Sequence, residues 1–217
     1  MSEQELEIDI IFDTVCPWCF IGKKRLENAL ASRPQITAKP NWKPFLLNPE
    51  MPTEGIDRTA YLIKKFGSEA RINHIYGVIG EAGQSVEIDF AFDRIDKTPN
   101  SVNSHRLIRF AGKHGQAADV VEALFVEFFI NGRDIGDIGV LVNIGAAHGL
   151  DKSDLREYLE STDDVRLICD ENIQAHRLGI NGVPSYAFNE KFLISGAQDP
   201  LVLARMLDVA ATTQTMT

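Results

Sequence analysis

Two kinds of hydrophobic spacing take turns along the chain. Leu6 to Asp13 (LEIDIIFD) combines alternation with β-branched residues, which predicts a core strand. After Thr14 and Val15 comes Cys16-Pro17-Trp18-Cys19, and beyond it Phe20, Leu26, Ala29 and Leu30 recur near helical spacing until Arg33-Pro34 ends the run. Pro17 suits a first helical turn, where its missing N–H costs nothing. The cysteine pair is therefore expected to cap a helix that follows a strand. From Ile36 to Leu47 alternation returns, with Pro40 and Pro44 predicting an edge-like or irregular strand. Asn48 to Pro52 is a turn-rich exit.

The middle of the chain reads as short helices over 58–66, 68–82, 100–114, 119–131, 136–147 and 153–159. In the fourth, Val120, Val121, Leu124, Phe125 and Phe128 make a wide apolar face. Val86 to Ile95 alternates like a strand but is read as an extended loop. Asp163 to Leu178 forms one long helical pattern with Val165, Ile168, Cys169, Ile173 and Leu178 as its apolar face, closed by Gly179. Cys169 is expected to be inert packing. Val183–Phe188 and Lys191–Ile194 predict an antiparallel hairpin turning at Asn189-Glu190. Asp199-Pro200 opens a last helix over 201–210, and Thr212 to Thr217 is expected to fray. With the helical block set aside, the order β-α-β then α-β-β-α is the thioredoxin topology. The expected fold is α/β, a thioredoxin-like fold with a large helical insertion domain. Residues 1–52 and 163–217 form the discontinuous thioredoxin-like domain, and 53–162 the helical insertion.

Composition narrows the function. Hydrophobic content of 44% and charged content of 24% exclude disordered and fibrous classes. Twenty-two basic against thirty-one acidic residues leave a formal charge of −9, a field that repels polyphosphate. Nucleic acid and membrane surfaces are thus not expected as partners. No apolar run approaches the roughly 18 residues of a membrane span. The first residues, Met-Ser-Glu-Gln-Glu-Leu-Glu-Ile, lack the basic and apolar regions of a secretory signal, so a cytoplasmic location is expected.

Cys16 and Cys19 admit three readings: buried packing, half a zinc site, or a redox dithiol. Zinc needs two further ligands at comparable spacing, and Cys169 and the five histidines offer no such pairing. No metal is expected. The dithiol reading needs only what is present. A thiol at a helix N-terminus meets the positive end of the macrodipole and free N–H groups, which favour thiolate. Cys16 is then the more acidic, solvent-reaching nucleophile. Cys19, one turn further in, resolves the mixed disulfide. Pro17 fixes the turn, and Trp18 offers an apolar surface beside the sulfur.

Strand–Cys-Pro-Trp-Cys–helix, the helical insertion, and Gly182-Val183-Pro184 ahead of a hairpin together resemble the DsbA-like thioredoxin-fold family. The likeness is to its cytoplasmic FrnE-like branch, whose neighbours are kappa-class glutathione transferases and hydroxychromene-carboxylate isomerases. Phe45-Leu-Leu-Asn-Pro49, Asn100 to Leu107, Gly132-Arg-Asp-Ile135 and Ser195-Gly-Ala-Gln198 extend the resemblance from Ile8 to about Leu207. It implies a thiol–disulfide oxidoreductase whose cofactor is its own Cys16–Cys19 disulfide. The substrate would be a protein or small-molecule thiol or disulfide, and the enzyme a monomer or homodimer. Pro184 matches a cis proline packed on the pair, and Val183 would then hydrogen-bond an extended substrate segment.

His105 has two readings. It lies in a Val102, His105, Ile108 stripe that suits a core histidine. It also matches a family histidine facing the thiols, which would favour the Cys16 thiolate or shuttle its proton. Pro17, Trp18, Val183, Pro184 and His105 thus form the expected substrate surroundings, at the junction of the two domains.

The transferase and isomerase branches carry serine where Cys16 stands and use bound glutathione. The transferases also grip glutathione with Gly-Ser-Asp where this chain has Gly196-Ala197-Gln198. The alternative function is a glutathione-dependent isomerase or transferase acting on an aromatic small molecule, with glutathione as co-substrate. A redox-sensing binding module is a third. Pro17-Trp18 lacks the histidine found between the cysteines of periplasmic DsbA, which implies a weaker oxidant.

Overall fold

The computed structural model describes residues 5–214. Strand β1 (Leu6–Phe12) runs parallel to β2 (Ala38–Pro44) and antiparallel to β5 (Ser185–Phe188), which pairs with β6 (Phe192–Ser195). The sheet order is β2-β1-β5-β6. Strand β2 is an edge, the place in a sheet that tolerates Pro40 and Pro44. The hairpin turns where Asn189 and Glu190 take left-handed conformations, φ 48° and 56°.

Alternation sends β1 side chains to two faces. Ile8, Ile10 and Phe12 enter the main core with α1 (Pro17–Ala31) and α9 (Pro200–Gln214). Ile11 points the other way and packs with Phe45, Ala175 and Ile180, under α8 (Val165–Arg177). Between β2 and α8 lie α2 (Arg58–Phe66), α3 (Glu69–Gln84), α4 (Val102–Gly112), α5 (Ala117–Phe129), α6 (Ile138–Ala147) and α7 (Lys152–Glu160). Asp57, Ser68, Asp137 and Asp151 each accept a main-chain N–H in the first turn of α2, α3, α6 and α7, which is why those helices start there.

The expected face of α5 is fully buried. Phe125 stacks on Phe20 of α1 with ring centroids 5.0 Å apart and meets Phe12 of β1 edge-on at 6.1 Å. One apolar core therefore runs through both the sheet and the helical block. The chain is the expected α/β, thioredoxin-like fold with a large helical portion.

The extended loop expected at Val86 to Ile95 holds, while other readings change. Val86 to Ile95 does bury alternate residues, with Val86, Ile88 and Ile95 inside, but no strand partner runs beside it. It is a loop laid over the core, ending in a 3-10 turn at Phe92–Arg94. A small ladder that the pattern is too short to reveal joins β3 (Ile56–Asp57) to β4 (Lys97–Thr98). In α8 the buried face is Ile168, Asn172 and Ala175, while Ile173 and Leu178 are exposed and Cys169 is half-buried. The reason is polar: the Asn172 side-chain oxygen accepts the Leu46 N–H at 2.8 Å, which turns that side of the helix inward. The last helix continues past Thr212, whose hydroxyl donates to the Val209 carbonyl. Residues 1–4 and 215–217, including the rest of the tail expected to fray, lie outside the described residues.

Two buried charges tie the block together. Arg106 is 1% exposed and donates to the main-chain carbonyls of Tyr158, Leu159, Ser161 and Asp163, where α7 ends and α8 begins. Lys23 and Lys24 of α1 both donate to Glu122 of α5, at 2.6 Å each. Burial pulls the Glu122 carboxyl pKa up, but these two lysines outweigh it and hold it below the ordinary value.

Replacing Arg106 by Leu should cost about 3 kcal/mol or more in urea unfolding, because the buried Tyr158 and Leu159 carbonyls and two part-buried ones lose a charged donor. Glu122→Gln should cost about 1 kcal/mol at neutral pH, salt-screened because the site is only half-buried. A depressed carboxyl stabilises above its unfolded pKa and loses that stabilisation as pH falls through the folded one. The two proteins should therefore converge in stability under acid conditions.

Candidate functional site

Strand β1 delivers its last residues into a tight turn. Asp13 follows the strand, the Cys16 N–H bonds back to the Asp13 carbonyl at 3.1 Å, and Cys16 becomes the N-cap of α1 at φ −99°, ψ 113°. Pro17 occupies the first turn, as its missing N–H favours. Cys19 sits one turn in, with its N–H on the Cys16 carbonyl at 3.0 Å. Both cysteines are free thiols.

The Val183–Pro184 peptide bond is cis, and this distant segment lies across the same turn. The Cys16 thiol donates to the Val183 carbonyl, with sulfur and oxygen 3.9 Å apart. Gly22 of α1 makes the approach possible: a β carbon there would stand 2.7 Å from the Pro184 ring and would also strike the Tyr186 hydroxyl. Trp18 is half-buried against the core. The fold thus brings together Cys16, Pro17, Trp18, Cys19, Val183 and Pro184. One detail differs from expectation. Cys16 does not stand open to solvent, being 5% exposed against 3% for Cys19, because the Val183 segment covers it.

Electrostatics act on the inner thiol. Burial pushes Cys19 well above the ordinary thiol value, and the neighbouring Cys16 sulfur and the Asp13 charge push it further. The Asp13 main-chain hydrogen bond offsets only part of this. At neutral pH Cys19 keeps its proton.

His105 is buried on α4, edge-on to Phe12 at 5.2 Å, with Nε2 3.5 Å from Asp13 Oδ1. Among the described residues, no hydrogen bond or ion pair joins it to either sulfur. It also lines a cavity of about 520 Å³ together with Trp42, Ile108, Arg109 and Ile168. The structure thus sets it one layer behind the cysteines, against the carboxylate that supports them.

Sequence reading missed two residues here. Asp13 is fully buried; its Oδ2 accepts the Leu47 N–H at 2.7 Å and its Oδ1 the Val15 N–H at 3.4 Å. The available signal was a lone carboxylate ending an apolar strand, three positions before a cysteine. Tyr186 is fully buried two residues past Pro184, and burial followed by the charges of Cys19 and Cys16 raises its phenol far above the ordinary value. In a hydrophobic strand it reads as an ordinary core aromatic, so no signal marked it.

Known proteins are similar to this chain in sequence or fold. The family profile described as DSBA-like thioredoxin domain matches residues 7–208. The uncharacterized protein YwbO of Bacillus subtilis is 26% identical over 156 residues, 72% of each chain. The crystal structure of a probable DsbA oxidoreductase from Streptomyces coelicolor superposes with a TM-score of 0.88 at 24% identity, covering 96% of this chain and 91% of that one. A 2-hydroxychromene-2-carboxylate isomerase superposes at 0.70 and 15% identity, covering 97% and 99%.

In the folded, reduced protein at neutral pH, iodoacetamide should modify Cys16 at least about tenfold faster than Cys19, as a thiol held protonated by burial reacts slowly. Peptide mapping against reaction time reads this directly, and equal rates would contradict the assignment.

Proposed function

The chain belongs to the DSBA-like thioredoxin domain family, and from that premise we propose that it is a thiol–disulfide oxidoreductase working through Cys16 and Cys19. The observation that carries the reading is the pairing of an N-cap thiol with the carbonyl of a cis X–Pro bond, above a second thiol held protonated. A cysteine pair kept only for packing has no use for that asymmetry.

The chemistry follows from the positions. As thiolate, the Cys16 sulfur attacks a substrate disulfide, forms a mixed disulfide and expels one substrate thiolate, which takes up a proton. Cys19 then gives up its proton and attacks the Cys16 sulfur. This closes the Cys16–Cys19 bond and releases the second substrate thiol. The substrate leaves reduced by two electrons, and the reverse sequence oxidises it. Val183 and Trp18 border the reacting sulfur and are where an extended substrate segment or an apolar group would rest. His105 supports the site through Asp13.

The same proposal places the protein in the FrnE-like branch and in the cytoplasm. Residues 1–52 and 163–217 act as the thioredoxin-like unit, and 53–162 as the helical insertion that supplies His105. The substrate is a protein or small-molecule disulfide or thiol, and no cofactor beyond the cysteine pair is required. The second reading, a glutathione-dependent isomerase or transferase, draws on the superposition with the chromene-carboxylate isomerase. The presence of both cysteines favours dithiol exchange over it.

With dithiothreitol as reductant, the protein should accelerate insulin reduction, and Cys16→Ser should remove that activity. Cys19→Ser should retain substrates as mixed disulfides on Cys16, identifiable by mass spectrometry. Turnover of an aromatic electrophile with glutathione, alongside inactivity towards insulin, would decide for the second reading.

A further inference from the structure

Among the described residues, two buried side-chain atoms lack a hydrogen-bond partner: His105 Nε2 and the Tyr186 hydroxyl. Native proteins rarely leave such groups unpaired, and where they do a functional cause is worth seeking. His105 Nε2 at least faces the Asp13 carboxylate. The Tyr186 hydroxyl has no such neighbour, although its surroundings are closely defined.

Tyr186 stands opposite Ile10 in β1 and Ile194 in β6, so its backbone is fixed on both sides. Its hydroxyl and the Pro184 ring occupy the space where a Gly22 side chain would be. Cys19 lies three residues before Gly22, and residues at that spacing share one helix face. The phenol therefore lies on the strip of α1 that carries the resolving cysteine. The titratable and charged groups bearing on it are Cys19, Cys16 and, more weakly, Arg25.

We infer that Tyr186 is a positioning residue for the resolving step: its hydroxyl donates a hydrogen bond to the Cys19 sulfur as that sulfur loses its proton and attacks the mixed disulfide on Cys16. The inference rests on the dithiol-exchange reading above. In the resting dithiol the phenol has no hydrogen-bond partner, neither sulfur included; a thiolate is a far stronger acceptor than a protonated thiol, so the bond forms as Cys19 ionises. The step balances without the phenol changing state. The proton leaves Cys19, the Cys19–Cys16 bond forms, the bond from Cys16 to substrate breaks, and the departing substrate thiolate is protonated. Tyr186 keeps its own proton throughout.

Tyr186→Phe removes the oxygen and little else. The reduced protein is mixed with a symmetric aryl disulfide whose released thiolate is coloured. The first release then reports attack by Cys16, and the second reports resolution by Cys19. The variant should make the first release at the wild-type rate and the second about tenfold more slowly. Its thermal midpoint should be unchanged or higher, since an unpaired polar atom has been deleted. A second release as fast as wild type overturns the inference. So does slowing of both releases, or a clear loss of thermal stability, either of which assigns the hydroxyl to packing. A wild-type protein that stops after the first release overturns the dithiol reading itself, and the inference with it.

Discussion

The buried carboxylate of Asp13 is the constraint on which the site depends. A carboxylate removed from water is costly unless its oxygens find donors. Here the donors are the N–H groups of Val15 in its own turn and Leu47 at the exit from β2, and the His105 ring on α4 faces Oδ1 at 3.5 Å. Satisfying them fixes the path of the loop that ends in Cys16, and it draws the helical block onto the carboxyl end of β1. A second buried link runs parallel, with the Thr14 and Ser104 hydroxyls 2.7 Å apart and Ser104 bonded on to the Ser101 carbonyl. The cysteine turn is thus held from below by polar contacts that admit few alternative geometries.

From that turn outward, α1 is gripped along its length. Phe20 stacks on Phe125, Lys23 and Lys24 reach Glu122, and beyond the last turn Arg33 forks onto Asp208 of α9. The Phe20–Phe125 stack and the Lys23 and Lys24 bonds to Glu122 join the helical block to the sheet-bearing part of the chain. A thiol at the N-cap of a helix fixed in this way is held in one position by packed neighbours. Arg106 plays the matching role at the far side of the block, where it gathers the carbonyls that end α7 and so sets the start of α8.

The superpositions establish the fold, and fold alone does not select a chemistry. The same frame appears in a probable DsbA oxidoreductase and in a 2-hydroxychromene-2-carboxylate isomerase. What is particular to this chain is local: a thiol at the N-cap, a second thiol kept protonated by burial, and a carbonyl from the Val183–Pro184 segment set against the first sulfur.

Much of this was legible in the sequence, because it rests on short-range rules. Strand β1, Pro17 at the head of α1, the Asn189-Glu190 hairpin and the apolar face of α5 follow from spacing and turn chemistry within a few residues. The position of the cysteine pair at a helix start was legible in the same way. Tertiary structure alone decided the rest. Asp13, Asn172 and Tyr186 look ordinary in sequence, since their roles depend on donors, acceptors or sulfurs that lie far along the chain. The burial of Cys16 came from a segment 167 residues away. The strand-like rhythm of 86–95 reflected contact with a core, and only the absence of a neighbouring strand made it a loop. Local pattern records which residues will be buried, whereas the partner that gives a buried polar group its function is fixed by the fold.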